Sequence, residues 1–204
     1  MTAFFAKAGV LATPILLCSV LTLAIFVERG IRLAVLRRRG GRVDREVAAR
    51  LAAHDESGAL EVARSSRSPM GRVLAAAMEV IHQDRELLET VMVHATEAEV
   101  RGLSRYLQTL ATIGNIAPLL GLLGTVIGMI KAFMVIQQMG GQVNAAVLAG
   151  GIWEAMLTTA MGLAVALPAL LAHSYLVGQV DRYEARLQDG AVIFLKSLPR
   201  EAKG

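Results

Sequence analysis

The chain has 204 residues, 54% of them hydrophobic and 19% charged, with a formal net charge of +4. Its apolar residues cluster in three stretches of roughly 20 or more, long enough to span a bilayer, which excludes an ordinary water-soluble domain. Between Arg37 and Leu110 acids and bases nearly balance, and no Lys/Arg patch alternates with aromatics, so nothing points to nucleic acid; the single cysteine, Cys18, excludes an intrachain disulfide.

The first apolar stretch runs from about Phe4 to Val27 within an N-terminal segment, 1–36. Only Lys7 stands at its start, and it exceeds the roughly 7–15 apolar residues of a signal peptide. A retained transmembrane helix is expected. Arg29, Arg32, Arg37, Arg38, Arg39, Arg42 and Arg45 follow it, and basic flanks stay inside. The N-terminus is therefore expected outside, in the periplasm, and residues 37–110 in the cytoplasm.

That cytoplasmic region reads as helical throughout. DREVAARLAAH places Val47 and Leu51 on one face, Asp55-Glu56-Ser57-Gly58 is a turn signal, and a short helix is expected after Gly58 through Arg64. Ser68-Pro69 has the form of an N-cap followed by proline at the first helical position, opening a helix over MGRVLAAAMEVIHQ. From Arg85 the apolar spacing runs on without a proline until Pro118. It predicts one helix from Arg85 to Ile136, about 78 Å long at 1.5 Å per residue.

The second span is expected at 111–136, a short uncharged outside loop at 137–145, and the third span at 146–177. A helical C-terminal segment, 178–204, carries Arg182, Arg186, Lys196, Arg200 and Lys203 and is expected in the cytoplasm. The fold class is an all-α membrane protein: three transmembrane helices, the second and third extending as long helices into a cytoplasmic helical region.

Gly121, Gly124 and Gly128 line one side of span two, and small residues at this spacing let helix backbones approach closely. Thr125 lies beside them, where a hydroxyl bonded to its own helix competes with a functional role. In span three, Gly151, Ala155, Thr159, Gly162 and Ala166 form a second small-residue stripe, with Glu154 and Thr158 on the adjoining face. That arrangement is expected where a third span touches a neighbour and also borders a pore. Pro168 weakens the local backbone ladder.

Glu154 is the only acidic residue between Glu99 and Asp181. A carboxyl at membrane depth costs at least about 2.5–3.5 kcal/mol on insertion scales, so it is expected to have a role. Three readings stand: a hydrogen-bonded acid that locks helices together, an ion or proton relay, or a carboxyl partly exposed to outside water, since it lies only about 10 residues beyond the outside loop. Lys131 and His173 read as interfacial residues, and Trp153 as an interface anchor. No nucleophile elbow, phosphate loop, zinc motif or dinucleotide fingerprint occurs, so no enzyme and no metal site are expected.

GNIAPLLGLLGTVIGMIKAF together with GGIWEAMLTTAMGLAVALPALLAH resembles the MotA/TolQ/ExbB proton-channel family over roughly Ile113 to Tyr175. The resemblance implies a subunit of a bacterial inner-membrane motor, forming a homo-pentameric ring around a single-span partner similar to ExbD or TolR, which supplies an aspartate as the principal proton carrier. It further implies a TonB- or TolA-like protein as the recipient of the motion, protons as the coupling ion and no other cofactor. By the same resemblance Thr125, Glu154 and Thr159, with Thr158 as a weaker candidate, line the ion path, and Pro118 and Pro168 bend the helices. The short chain fits an ExbB- or TolQ-like member better than a flagellar stator. The competing reading is a passive oligomeric scaffold in which Glu154 is structural.

Overall fold

Long runs of Leu, Val, Ile and Ala without turn residues satisfy their backbone groups internally as helix, the form a span requires where water is absent. The computed structural model describes residues 11–39, 43–138 and 145–198, and these form seven helices and no strand. They are α1 (Ala12–Arg39), α2 (Val43–Ala52), α3 (Glu56–Ser65), α4 (Pro69–Glu79), α5 (Arg85–Ser104), α6 (Leu107–Gln138) and α7 (Ala145–Ser197). The start of the first segment with Lys7, loop positions 139–144, Arg42 and the tail with Arg200 and Lys203 lie outside the described residues.

Three helical stretches are long and apolar enough to cross a membrane: Ala12–Leu36, Arg85–Gln138 and Leu148–Ser197. The expected all-helical fold with three spans is present. α7 continues without interruption well past the apolar third span, through Pro168 to Ser197. The second long helix, expected unbroken from Arg85, is instead divided into α5 and α6. Arg105 leaves the helix at ψ 135° and Tyr106 adopts a left-handed φ of 68°. A left-handed turn at a non-glycine residue costs about 1–2 kcal/mol, and no Gly or Pro at this point announces it in the sequence.

The chain divides into two compact units, and this break falls on their boundary. The first comprises Met1–Val27 and Tyr106–Tyr175 and holds the apolar parts of α1, α6 and α7. Its outward faces are hydrophobic: Leu17, Val20, Leu23, Leu119, Leu122, Trp153, Met156 and Leu171 are all more than half exposed. An apolar surface of this extent belongs against lipid or another protein.

The second unit, Glu28–Arg105 with Leu176–Gly204, gathers α2–α5 and the distal part of α7. Its core contains Val47, Leu51, Ala59, Val73, Leu74, Ala77, Leu88, Met92, Leu187 and Phe194. Ser68 caps α4, accepting from the Gly71 N–H at 3.1 Å, with Pro69 at the first helical position. Arg72 of α4 forms a two-pronged pair with Glu99 of α5, its Nε donating at 2.6 Å. Tyr183 of α7 is buried close to this pair, and that burial raises its phenol above the ordinary range.

α3 starts at Glu56, earlier than the turn reading expected, because Asp55 serves as its N-cap. The Asp55 carboxylate accepts from the Arg50 guanidinium at 2.8 Å, the Gly58 N–H at 2.9 Å and the Ser57 hydroxyl at 3.1 Å. Arg50 first, then Gly58 and Ser57, hold this carboxyl below the ordinary carboxylate range. Because the folded state has the lower value, the contribution is complete above the ordinary range and is lost as pH falls through the lowered one. Protection of the Gly58 amide, corrected for intrinsic exchange, should stay constant down to about pH 4 and fall below it. Asp55→Asn keeps a cap and should flatten that dependence; hydrogen exchange across a pH series makes the check.

Candidate functional site

The polar residues of spans two and three are positioned by a seam of small residues between α6 and α7. Gly121, Gly124 and Gly128 are buried on α6 together with Ala117 and Ala132. A Cβ placed on Gly121 would lie 2.9 Å from Thr159 Cα, one on Gly124 2.7 Å from Thr158 Cβ, and one on Gly128 3.0 Å from Ala155 Cβ. From the other side, a Cβ on Gly151 would meet Ala132 Cβ at 2.6 Å, and one on Gly162 would meet the Ala117 carbonyl at 2.5 Å. Rising numbers on α6 meet falling numbers on α7, so the two helices run antiparallel. The seam has no room for a methyl group.

This changes the meaning of the α7 stripe, which was expected to touch a neighbouring molecule. It packs on the second span of its own chain. Thr158, expected on the adjoining face, belongs to the packing face: it is 2% exposed, and its hydroxyl donates to the Glu154 carbonyl at 2.7 Å.

Thr159 donates across the seam to the Gly121 carbonyl at 3.0 Å. Thr125 donates to the Leu122 carbonyl of its own helix at 2.6 Å. Because Thr125 stands one turn beyond Gly121, the two threonines share one edge of the α6–α7 pair. Glu154 is on the other edge, about 140° around α7 from Thr159 at 100° per residue. It is half-buried, and its carboxylate has no hydrogen-bond partner among the described residues. One chain thus brings Thr125 and Thr159 together and holds Glu154 apart from them.

The two span prolines remain inside continuous helix. Having no N–H, Pro118 and Pro168 leave the carbonyls of Gly114 and Ala164 without their usual helical partners. Ala164 and Pro168 line a cavity of about 570 Å³ between α1 and α7, with Ser19, Thr22, Phe26 and Tyr175. Phe26 and Tyr175 meet edge-on at 6.4 Å between ring centres. The Thr22 hydroxyl is buried there and bonds to no described residue. Sequence reasoning passed over Thr22; the available signal was Ser19 and Thr22 one helical turn apart in an otherwise apolar span. Lys131 and Trp153 are exposed and His173 is half-buried, and no group of three or more described His, Cys, Asp or Glu residues is placed to hold a metal.

Residues 65–189, which contain the whole α6–α7 seam, match the MotA/TolQ/ExbB proton channel family. The chain belongs to this family. It is 37% identical over 188 residues to a putative ExbB-like biopolymer transport protein of Synechocystis, covering 89% of this chain and 74% of that one. It is 32% identical over 194 residues to the biopolymer transport protein ExbB of Salmonella typhimurium, covering 90% and 79%. A putative ExbB homolog of Methanothermobacter thermautotrophicus is 35% identical over 130 residues; the match covers 62% of this chain but only 46% of that longer relative.

The seam generates a direct test. Gly121→Leu or Gly162→Leu drives a side chain into backbone and should destabilise the protein by about 1–3 kcal/mol. Gly30→Ala, whose Cβ meets nothing within 4 Å, should be neutral or slightly stabilising. Thermal unfolding of the detergent-solubilised chain, followed by circular dichroism, measures both.

Proposed function

We propose that the chain is the ring-forming subunit of a proton-driven motor in the bacterial inner membrane, coupling ion flow to transport at the outer membrane. The observation that carries this reading is the division of polar groups between two edges of one glycine-sealed helix pair. A side chain that reaches neither threonine within its own molecule can meet those of the next copy when identical chains repeat head-to-tail around an axis. Membership of a proton channel family supports ion flow as the work of that assembly. The relatives named as biopolymer transport proteins support transport as its output.

In this reading the N-terminus is periplasmic and the arginine-rich ends of α1 and α7 are cytoplasmic, following the positive-inside bias. The ring is pentameric, and an ExbD- or TolR-like single-span subunit inside it carries the moving proton on an aspartate. A TonB-like protein receives the motion in the uptake version, a TolA-like protein in an envelope-maintenance version. Thr125 and Thr159 line the path: each hydroxyl donates to a carbonyl and keeps lone pairs for water or for a partner carboxyl. Glu154 contributes a second polar element from the neighbouring copy. The driving force is about 2.3 kcal/mol per charge per 100 mV.

A specific observation favours the passive-scaffold alternative: the hydroxyls of Thr125, Thr158 and Thr159 are all engaged in helix or seam bonds. Substitution separates the two readings. Glu154→Ala and Thr159→Val are expected to abolish proton flux and partner-dependent transport while the oligomer still forms. Thr159→Ser, which restores the seam bond and the lone pairs, should recover most of the activity. Proteoliposome flux with the single-span partner, beside size-exclusion of the oligomer, makes the comparison. A Glu154→Gln variant that loses flux only in proportion to lost oligomer would establish the scaffold instead.

A further inference from the structure

Beyond the apolar part of α7, in the second unit, lies a cavity of about 140 Å³ lined by Leu33 of α1 and by Gln179, Arg182, Tyr183 and Arg186 of α7. Arg182 and Arg186 are one turn apart on the same helix face, so both guanidinium groups can converge on one ligand. Five other arginines of this unit are committed to acids: Arg50 to Asp55, Arg64 to Glu79, Arg72 to Glu99, Arg85 to Glu89 and Arg101 to Glu97. Arg32, Arg45 and Arg67 are in no ion pair among the described residues but line no described cavity with a second arginine; Arg182 and Arg186 are exposed. Arg182 and Arg186 have no acidic partner among the described residues, and no carboxylate lines the cavity.

The remaining lining suits an anion as well. Gln179 offers an amide N–H, and the Tyr183 hydroxyl bonds to no described residue. Burial keeps that phenol protonated, hence a donor. Arg182 lies back along the helix toward Gly178: its Nη2 stands 3.9 Å from where a Cβ there would be, so no side chain at 178 intrudes. Along the helix, Arg182 is only about 10 Å beyond Tyr175 at 1.5 Å per residue. An arginine at that distance from a span stands at headgroup depth, within reach of the anionic lipids of the leaflet on its side.

We infer that Gln179, Arg182, Tyr183 and Arg186 form a binding site for the phosphate of an anionic phospholipid headgroup, phosphatidylglycerol being the probe of choice. Each guanidinium can present two parallel N–H donors to phosphate oxygens, a geometry lysine does not supply. The site fixes the end of α1 and the exit of α7 to the leaflet on the basic side. It requires membrane insertion but not proton coupling, so its test reads no flux.

The experiment is native mass spectrometry of the full chain in non-ionic detergent with added dioleoyl phosphatidylglycerol. Saturating binding is expected, weakened roughly 30-fold in Arg182→Gln/Arg186→Gln, about fivefold for each arginine near a surface. Arg45→Gln/Arg67→Gln, which removes two exposed arginines elsewhere in the unit, should bind as the parent does. An equal loss in that control, or equal binding of phosphatidylcholine, would overturn the site. Inorganic phosphate bound as tightly, with the same dependence on Arg182 and Arg186, would assign the pocket to a soluble phosphate and overturn the lipid reading. Where the double glutamine variant loses helicity, Arg182→Lys/Arg186→Lys decides: it keeps the charge and is expected to bind severalfold more weakly, and full affinity there refutes the guanidinium fork.

Discussion

The contact of α6 with α7 leaves no space for a side chain between backbones, and this constraint fixes the rest of the membrane-facing unit. In hydrocarbon, burying apolar surface gives helices no particular reason to associate, so close packing and interhelical hydrogen bonds hold them together. The seam uses both. Five glycines and their alanine neighbours bring the backbones together, and the Thr159 hydroxyl crosses to the Gly121 carbonyl at 3.0 Å. A contact of that kind tolerates little sliding, since a shift of one residue would set Thr158 or Ala155 against a different partner. The positions of Thr125, Thr159 and Glu154 are therefore set by glycines that carry no chemistry of their own.

A consequence is that the pair is finished on its inner face and unfinished on its edges. Leu119, Leu122, Met156 and Leu171 face outward as an apolar surface, and Glu154 stands among such residues without a hydrogen-bond partner among those described. Lipid satisfies leucine but not a carboxyl. The edge holding Glu154 thus calls for a polar neighbour, and the opposite edge of an identical copy presents two hydroxyls. This is the physical content of the oligomeric reading, and it explains why the small-residue stripes need not be the contact between copies.

Much of this was legible in the sequence, because hydrophobic runs, caps and small-residue spacing are local signals. Ser68-Pro69 marked the start of α4, and the glycines of GLLGTVIG marked a packing face. What the stripe packs against was not legible: spacing shows that α7 has a close-packing face but not whether its own chain or another fills it. Thr158 was misplaced for the same reason, since a 20° arc decides between packing face and edge. The break at Arg105–Tyr106 was invisible because neither residue is a helix breaker. Tyr106 takes φ 68° where one packing unit gives way to the other, a property of tertiary structure. The cavity beside Pro168 needed two helices far apart in sequence, and its Thr22 hydroxyl drew no notice among leucines.

The two long elements differ in continuity. α7 runs as one helix from Ala145 to Ser197 and takes part in both units, although Pro168 leaves the Ala164 carbonyl without its ladder bond. The α5–α6 connection departs from helical geometry at Arg105 and Tyr106. In the second unit, Arg72 binds α4 to α5 through Glu99, close to the buried Tyr183 of α7. The second unit is thus held by an ion pair as well as by side-chain packing.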